Sequence, residues 1–169
     1  RVDPTHTISF LDALKQQLGE TATVDYAPGD VAPEALEVVP SSALSPPAGE
    51  DTAGEGTAGL LGEYFANDAH EGSPVLRRVD ATIDFDFGRD GPDVTVPTDH
   101  FSVIWRGRIT APETGPYILA LASDDGSRLW LDGQLLIDNS GQHGTISAQS
   151  TFNFVAGAPH DLRIEYFDS

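Results

Sequence analysis

The second two thirds of the chain alternates apolar and polar positions with a period of two, and the first third does not. Phe101, Val103, Trp105 and Ile109 interleave with Ser102, Arg106 and Arg108, so the first set faces a core and the second faces out. Tyr117, Leu119 and Leu121 continue this texture after the turn signal Thr114-Gly115-Pro116. Leu162, Ile164 and Tyr166 repeat it against Arg163 and Glu165. Asp132-Gly133 separates two apolar runs, residues 128–131 and 134–137. Both of its positions tolerate positive φ, which predicts a tight hairpin. Strands at this spacing, punctuated by Gly, Pro and Asp, predict an antiparallel β-sandwich or barrel, with the whole chain mostly β.

Upstream the pattern changes twice. Ser9-x-x-Asp12 has the form of a capping box with Asp at its fourth position, and Leu11, Leu14 and Leu18 follow at helical spacing up to Gly19. Residues 21–27 read as a strand. One helix and one strand bury little, so residues 1–29 must pack on something absent from residues 59–169 or be loosely ordered. Residues 30–58 lack Lys, Arg and aromatic side chains and are rich in Pro, Gly, Ser and acids, which predicts an extended linker, with Val38 and Val39 as a candidate edge strand. Residues 59–169 form the third segment, a β-domain.

Composition narrows the partners. A formal charge of −18 over 169 residues opposes non-specific binding to nucleic acid or anionic membranes and permits cation binding. The chain has no Cys and no Met. The first excludes disulfides and thiolate metal sites. The second leads to the expectation that the chain is processed or is a piece of something larger. The composition assigns no compartment. His6, His70, His100, His143 and His160 show no paired zinc-ligand spacing. No phosphate-binding glycine loop, nucleophile elbow or basic–aromatic nucleic-acid patch is present.

The acidic turn Ser123-Asp124-Asp125-Gly126-Ser127 precedes the strand Arg128-Leu129-Trp130-Leu131. Around it stand Gly59-Leu60-Leu61-Gly62-Glu63-Tyr64-Phe65, Phe101-Ser102-Val103-Ile104-Trp105-Arg106-Gly107, Ala111-Pro112-Glu113-Thr114-Gly115-Pro116-Tyr117, Ile137-Asp138-Asn139 and Leu162-Arg163-Ile164-Glu165-Tyr166-Phe167. In this order and spacing residues 59–169 resemble the PA-fourteen domain, the β-barrel module named after the anthrax protective antigen. Residues 5–29, ending in Val24-Asp25-Tyr26-Ala27-Pro28-Gly29, resemble a helix–strand piece of family-three glycoside hydrolases, in a subset of which a PA-fourteen domain is inserted after such a strand.

The resemblance implies that residues 1–29 are a short fragment of the hydrolase α/β domain, that the last strand of the 59–169 domain lies beyond Ser169, and that the whole is a non-catalytic carbohydrate-recognition module of a β-glucosidase-like, retaining enzyme, shaping the substrate entrance and the leaving-group side. Both catalytic carboxylates would then lie outside the segment. Its partners would be a glycoside substrate and the other domains of the host. Two alternatives stay open: a calcium-dependent sugar-binding lectin domain, and a structural or interaction module. In the related yeast flocculation adhesins a cis-linked Asp pair binds calcium, and the calcium binds sugar hydroxyls. That implies Asp124 and Asp125 as candidate Ca2+ ligands, with Asn139 a third, although a turn whose carboxylates accept backbone N–H bonds explains the pair equally. No cofactor is required otherwise. The carbohydrate-contact candidates are Asp124, Asp125, Arg128, Asn139 and His143. Trp105 reads as core, while Trp130 shares a face with Arg128 and is ambiguous.

Overall fold

The computed structural model describes residues 36–49 and 58–169, which belong to one compact unit, Pro33–Ser169. The helix and strand expected in residues 9–27 lie outside the described residues. Nine strands follow in order: β1 (Leu44–Ser45), β2 (Leu60–Phe65), β3 (Leu76–Asp80), β4 (Phe101–Thr110), β5 (Gly115–Ser123), β6 (Ser127–Leu131), β7 (Gln134–Asn139), β8 (Ile146–Phe154) and β9 (Pro159–Asp168). All pairings are antiparallel. One sheet has seven strands in the order β3-β2-β4-β9-β6-β7, with β1 beside the end of β4, and β5 and β8 form a second, two-stranded sheet. This is the predicted antiparallel β-sandwich. The short strand near the start is β1 rather than Val38–Val39, and Val39 packs against the core without entering a ladder.

The alternation predicted for β4 is realised. Phe101, Val103, Trp105 and Ile109 are buried, and on β9 Ile164, opposite Trp105, and Leu162, opposite Gly107, are buried on the same face. Leu129, Leu131 and Ile137 extend that face, and Tyr117, Leu119, Leu121, Phe152 and Phe154 meet it from the small sheet. Fully burying one such side chain contributes about 1.5–3 kcal/mol, so this shared inner layer holds the two sheets together.

The β6–β7 hairpin turns at Asp132 and Gly133, with φ of 49° and 77°, the conformation that Asp-Gly favours. Register slips by one residue at Leu129/Trp130, where Leu129 pairs with Ile137 but Trp130 pairs with Leu135. The extra residue, Leu136, is a β-bulge. Asp132 also reaches β9, where its carboxylate accepts the Asp161 N–H at 2.9 Å and faces His160 Nδ1 at 2.7 Å.

A second tie lies on the inner face at the β2–β3 edge. Asp80 is 6% exposed and accepts from Tyr64 Oη at 2.6 Å, Trp105 Nε1 at 2.7 Å and Arg78 Nε at 2.6 Å. Arg78 also donates to Tyr64 Oη at 2.8 Å and to the Pro92 carbonyl at 3.2 Å. Burial and the neighbouring Asp80 carboxylate push the Tyr64 hydroxyl well above the usual phenol range, so it stays a donor.

Candidate functional site

β5 ends and β6 begins at the acidic turn, which therefore sits at one end of the sandwich, where loops rather than ladders set the chemistry. The Asp124–Asp125 peptide bond is cis. Its two carboxylates have different surroundings. Asp125 is 7% exposed, and its Oδ1 accepts the His143 N–H and its Oδ2 the Ser169 N–H, each at 2.9 Å. Asp124 is exposed, and among the described residues its carboxylate accepts no hydrogen bond, whereas its carbonyl accepts from Tyr166 Oη at 2.6 Å. Gly126 is buried beneath the Phe167 ring, which a Cβ there would strike, so the turn closes tightly onto β9.

Three of the five predicted contact residues come together around this turn. Asn139 is buried, donating from Nδ2 to Ser123 Oγ at 3.0 Å, and its carbonyl lies 3.0 Å from His143 Nε2. The other ring nitrogen of His143 lies 3.0 Å from the Gly144 carbonyl. Two carbonyls, each only an acceptor, favour the imidazolium, which alone donates from both nitrogens. The Asn139 carbonyl leads in raising the His143 pKa above the ordinary histidine value, and the Gly144 carbonyl and the Asp125 and Asp124 charges add to it. So Asp125, Asn139 and His143 form a lock between the β7–β8 loop and the turn. Asp124 is the member left facing outward. Arg128 is not in this lock: it stands on the outer face of the large sheet, with Nε 3.2 Å from Asp138 Oδ1.

The turn is a ridge between two clefts. One, of roughly 600 Å³, is walled by Phe85, Phe87, Trp105 and Tyr166, with Asp124 and Asp168 among its carboxylates. Phe85 stacks between Phe87 and Trp105, at centroid distances of 5.0 and 5.8 Å with both interplanar angles 11°. Tyr166 stands tilted beside Phe87 and Trp105. The Asp168 carboxyl is held above the usual carboxylate range, first by burial and then by the charges of Asp99, Asp125 and Asp124. The second cleft, about 300 Å³, lies across the ridge and includes Arg128, His70, Glu165 and the other side of Tyr166. Burial pushes the His70 pKa down, which keeps that ring neutral and hydrogen-bonding, with Nε2 3.1 Å from the Tyr166 carbonyl.

Phe85 and Phe87 were not singled out by the sequence reading. Their signal was the alternation Ile83-Asp84-Phe85-Asp86-Phe87, which mimics a strand but forms a loop leaning on Trp105. Trp105 is 2% exposed, so as predicted it belongs to the core.

Aromatic faces beside hydrogen-bonding groups can stack on and orient a polar ring. A calcium ion is a second fit for the turn. Asp124 is available, Asp125 keeps lone pairs beyond its two N–H bonds, and Asn139 keeps its side-chain oxygen. No cluster of three His, Cys, Asp or Glu suited to a metal occurs among the described residues. Calcium takes about 6–8 oxygens, so this donor set would need water or ligand oxygens to complete the shell.

Comparison with known proteins defines the class. The PA14 domain pattern matches residues 56–169, and the chain belongs to that family. Anti-sigma-I factor RsgI3 of Acetivibrio thermocellus is 34% identical over 110 residues, which is 65% of this chain and 17% of that protein. The solved structure of an anti-sigma factor domain-containing protein from Clostridium clariflavum is 34% identical with a TM-score of 0.62, over 66% of this chain and 38% of the other. A β-glucosidase from Kluyveromyces marxianus shares the fold at a TM-score of 0.63 and 21% identity, over 96% of this chain and 20% of the other. The chain thus spans only a small part of the curated relative that it matches.

Proposed function

We propose that the PA14 domain of this chain is a non-catalytic carbohydrate-recognition module of a larger protein. The aromatic-walled cleft beside Asp124 receives the sugar. The observation that carries this reading is the pairing, at one loop end of the sandwich, of the Phe85, Phe87 and Tyr166 rings with a carboxylate that no donor among the described residues occupies. Asp125, Asn139 and His143 support that carboxylate from behind. The preferred host is a family-three β-glucosidase-like enzyme, in which the module shapes the substrate entrance and the leaving-group preference. The helix–strand pattern of residues 5–29 supports this host, and the fold likeness to a β-glucosidase over 96% of the chain agrees with it. The relatives at 34% identity are anti-sigma factors, which favours a second reading, the same recognition role on a regulatory host.

The test is calorimetric titration of the chain with a panel of neutral mono- and oligosaccharides, with and without a chelator. Binding that is lost in Asp124→Asn while the thermal melt is unchanged supports the cleft. Loss of the same binding on chelation supports calcium-mediated contact through Asp124 and Asp125. No saturable binding by any neutral sugar would sink the reading and favour a structural or interaction module. For the host, deleting residues 60–167 from the parent protein should alter aglycone or chain-length preference while small aryl glucosides are still cleaved. An unchanged substrate profile in a well-folded deletion rejects the entrance-shaping role.

A further inference from the structure

The outer face of the large sheet carries a feature that the acidic turn does not use. Five of the nine Lys and Arg residues of this acidic chain, Arg77, Arg106, Arg108, Arg128 and Arg163, stand on that face. Two of them, Arg106 on β4 and Arg163 on β9, are directly opposite each other in the ladder. Like charges in that position destabilise a sheet, because their Cβ atoms lie only about 4.5–5.5 Å apart. The next residue across the same row is Trp130, and the Arg163 guanidinium carbon lies 5.3 Å from its ring centroid. Beside them runs a groove of roughly 500 Å³, lined by Arg106, Arg108, Arg163, Trp130 and Asp161.

Acidic neighbours offset these arginines only in part. Arg106 meets Glu63 through one terminal nitrogen at 2.5 Å, and Arg108 meets Asp161 through Nε at 3.3 Å. Arg163 pairs through one terminal nitrogen with Glu165. Each guanidinium has five N–H donors, so most remain for another acceptor. Arg106 Nε is also a buried donor with no hydrogen-bond partner among the described residues, which a folded protein seldom leaves. The sheet thus sets two opposed guanidiniums beside a groove, each held by one carboxylate and keeping further N–H donors.

We propose that this groove is a second binding site, separate from the acidic turn, that takes the carboxylate of a uronic-acid sugar residue between Arg106 and Arg163. Arg108 stands on the same groove wall and Trp130 lies beside the sugar ring. Guanidinium forks match a carboxylate with paired N–H bonds, which a lysine cannot reproduce. A single anion there offsets the Arg106–Arg163 repulsion. That the anion is carried on a saccharide rests on the carbohydrate reading above; the anion preference itself rests on the arginines alone.

Trigalacturonate, galactotriose and inorganic sulfate, each titrated against the chain by calorimetry, test the proposal. Trigalacturonate should bind more tightly than galactotriose and weaken as sodium chloride rises. Arg106→Gln and Arg163→Gln should each reduce its affinity by about tenfold or more. Each variant removes an opposed charge and also an ion pair, to Glu63 or to Glu165, so the unfolding midpoint of the ligand-free chain is measured beside the affinity to show that the variant is folded. Arg108→Gln, on the same groove wall, serves as a third variant should either of the others fold poorly, and a smaller loss is expected there because the carboxylate sits between Arg106 and Arg163. Equal binding of trigalacturonate and galactotriose, or trigalacturonate binding unchanged in all three variants, overturns the proposal. Sulfate binding as tightly as trigalacturonate overturns its saccharide part. Asp124→Asn separates the two sites: it should spare trigalacturonate, and trigalacturonate binding without any neutral-sugar binding rejects only the acidic-turn reading.

Discussion

Asp80 and Asp125 are equally withdrawn from water, at 6% and 7% exposure, and yet their roles differ. Asp80 accepts three side-chain donors that belong to the sheet itself: a phenol, an indole and a guanidinium. Asp125 accepts two backbone N–H groups from separate segments, the β7–β8 loop and the residue after β9. The first carboxylate joins side chains within a ladder that would form anyway. The second gathers loops that no ladder holds, and so presents its neighbour Asp124 to solvent. Burial alone does not distinguish a structural acid from one that supports a site; the origin of its donors does.

That contrast can be broken at four points. Asp80→Ala should have the largest effect, about 3–5 kcal/mol of lost stability in urea unfolding, because it leaves the Arg78 charge and two core donors without their acceptor. Asp80→Asn keeps the shape and should cost less; an alanine variant as stable as the parent would refute the central role given to that carboxylate. Asp125→Ala should cost about 1–3 kcal/mol and speed hydrogen exchange at the His143 and Ser169 amides specifically. Uniform acceleration across the sheets would show that Asp125 is another global anchor. Tyr166→Phe keeps the ring but removes the bond to the Asp124 carbonyl, so about 0.5–1.5 kcal/mol is expected, together with weaker neutral-sugar binding. Asp124→Asn should change stability by less than about 0.5 kcal/mol, since its carboxylate accepts no hydrogen bond among the described residues, and should act on ligand binding alone.

Proton titration sharpens the same comparison. Burial, then the charges of Asp99, Asp125 and Asp124, raise the Asp168 pKa, so its contribution to stability is present at low pH and is lost as pH rises through the folded value. Asp132 behaves oppositely. Its hydrogen bond to His160 is the main cause of a lowered pKa, and its contribution is present above the unfolded value and lost as pH falls through the folded one. Carbon-detected NMR should therefore find Asp168 titrating at higher pH than Asp132. The reverse order would remove the electrostatic account of the cleft.

Much of the sandwich was legible because its signals are local. The β4 alternation from Phe101 to Ile109 and the Asp132-Gly133 turn each depend on a few consecutive residues. The acidic turn and the loop holding Asn139 and His143 were legible for the same reason, as polar interruptions between apolar strands. What the sequence hid is non-local. Tyr166 reads as a core position, and it is one, yet its hydroxyl reaches across to the Asp124 carbonyl. Phe85 and Phe87 imitate a strand, and only the Trp105 ring beneath explains their arrangement as a cleft wall. The opposition of Arg106 and Arg163 is invisible until β4 and β9 are aligned in register, 57 positions apart in the chain. β1 is likewise two residues recruited by the end of β4, with no periodicity of their own.

The gathering of arginines on one wall has a consequence at distances far beyond any contact. A domain whose loop end bears acids unpaired among the described residues, while one broad face pairs Arg77, Arg106, Arg108, Arg128 and Arg163 with Glu63, Asp138, Asp161 and Glu165, spreads its charge unevenly. In dilute salt such a body turns before it touches. Close to a negatively charged polymer or wall it rotates its arginine face inward, although the chain as a whole is repelled, and its approach is selected by orientation as well as by affinity.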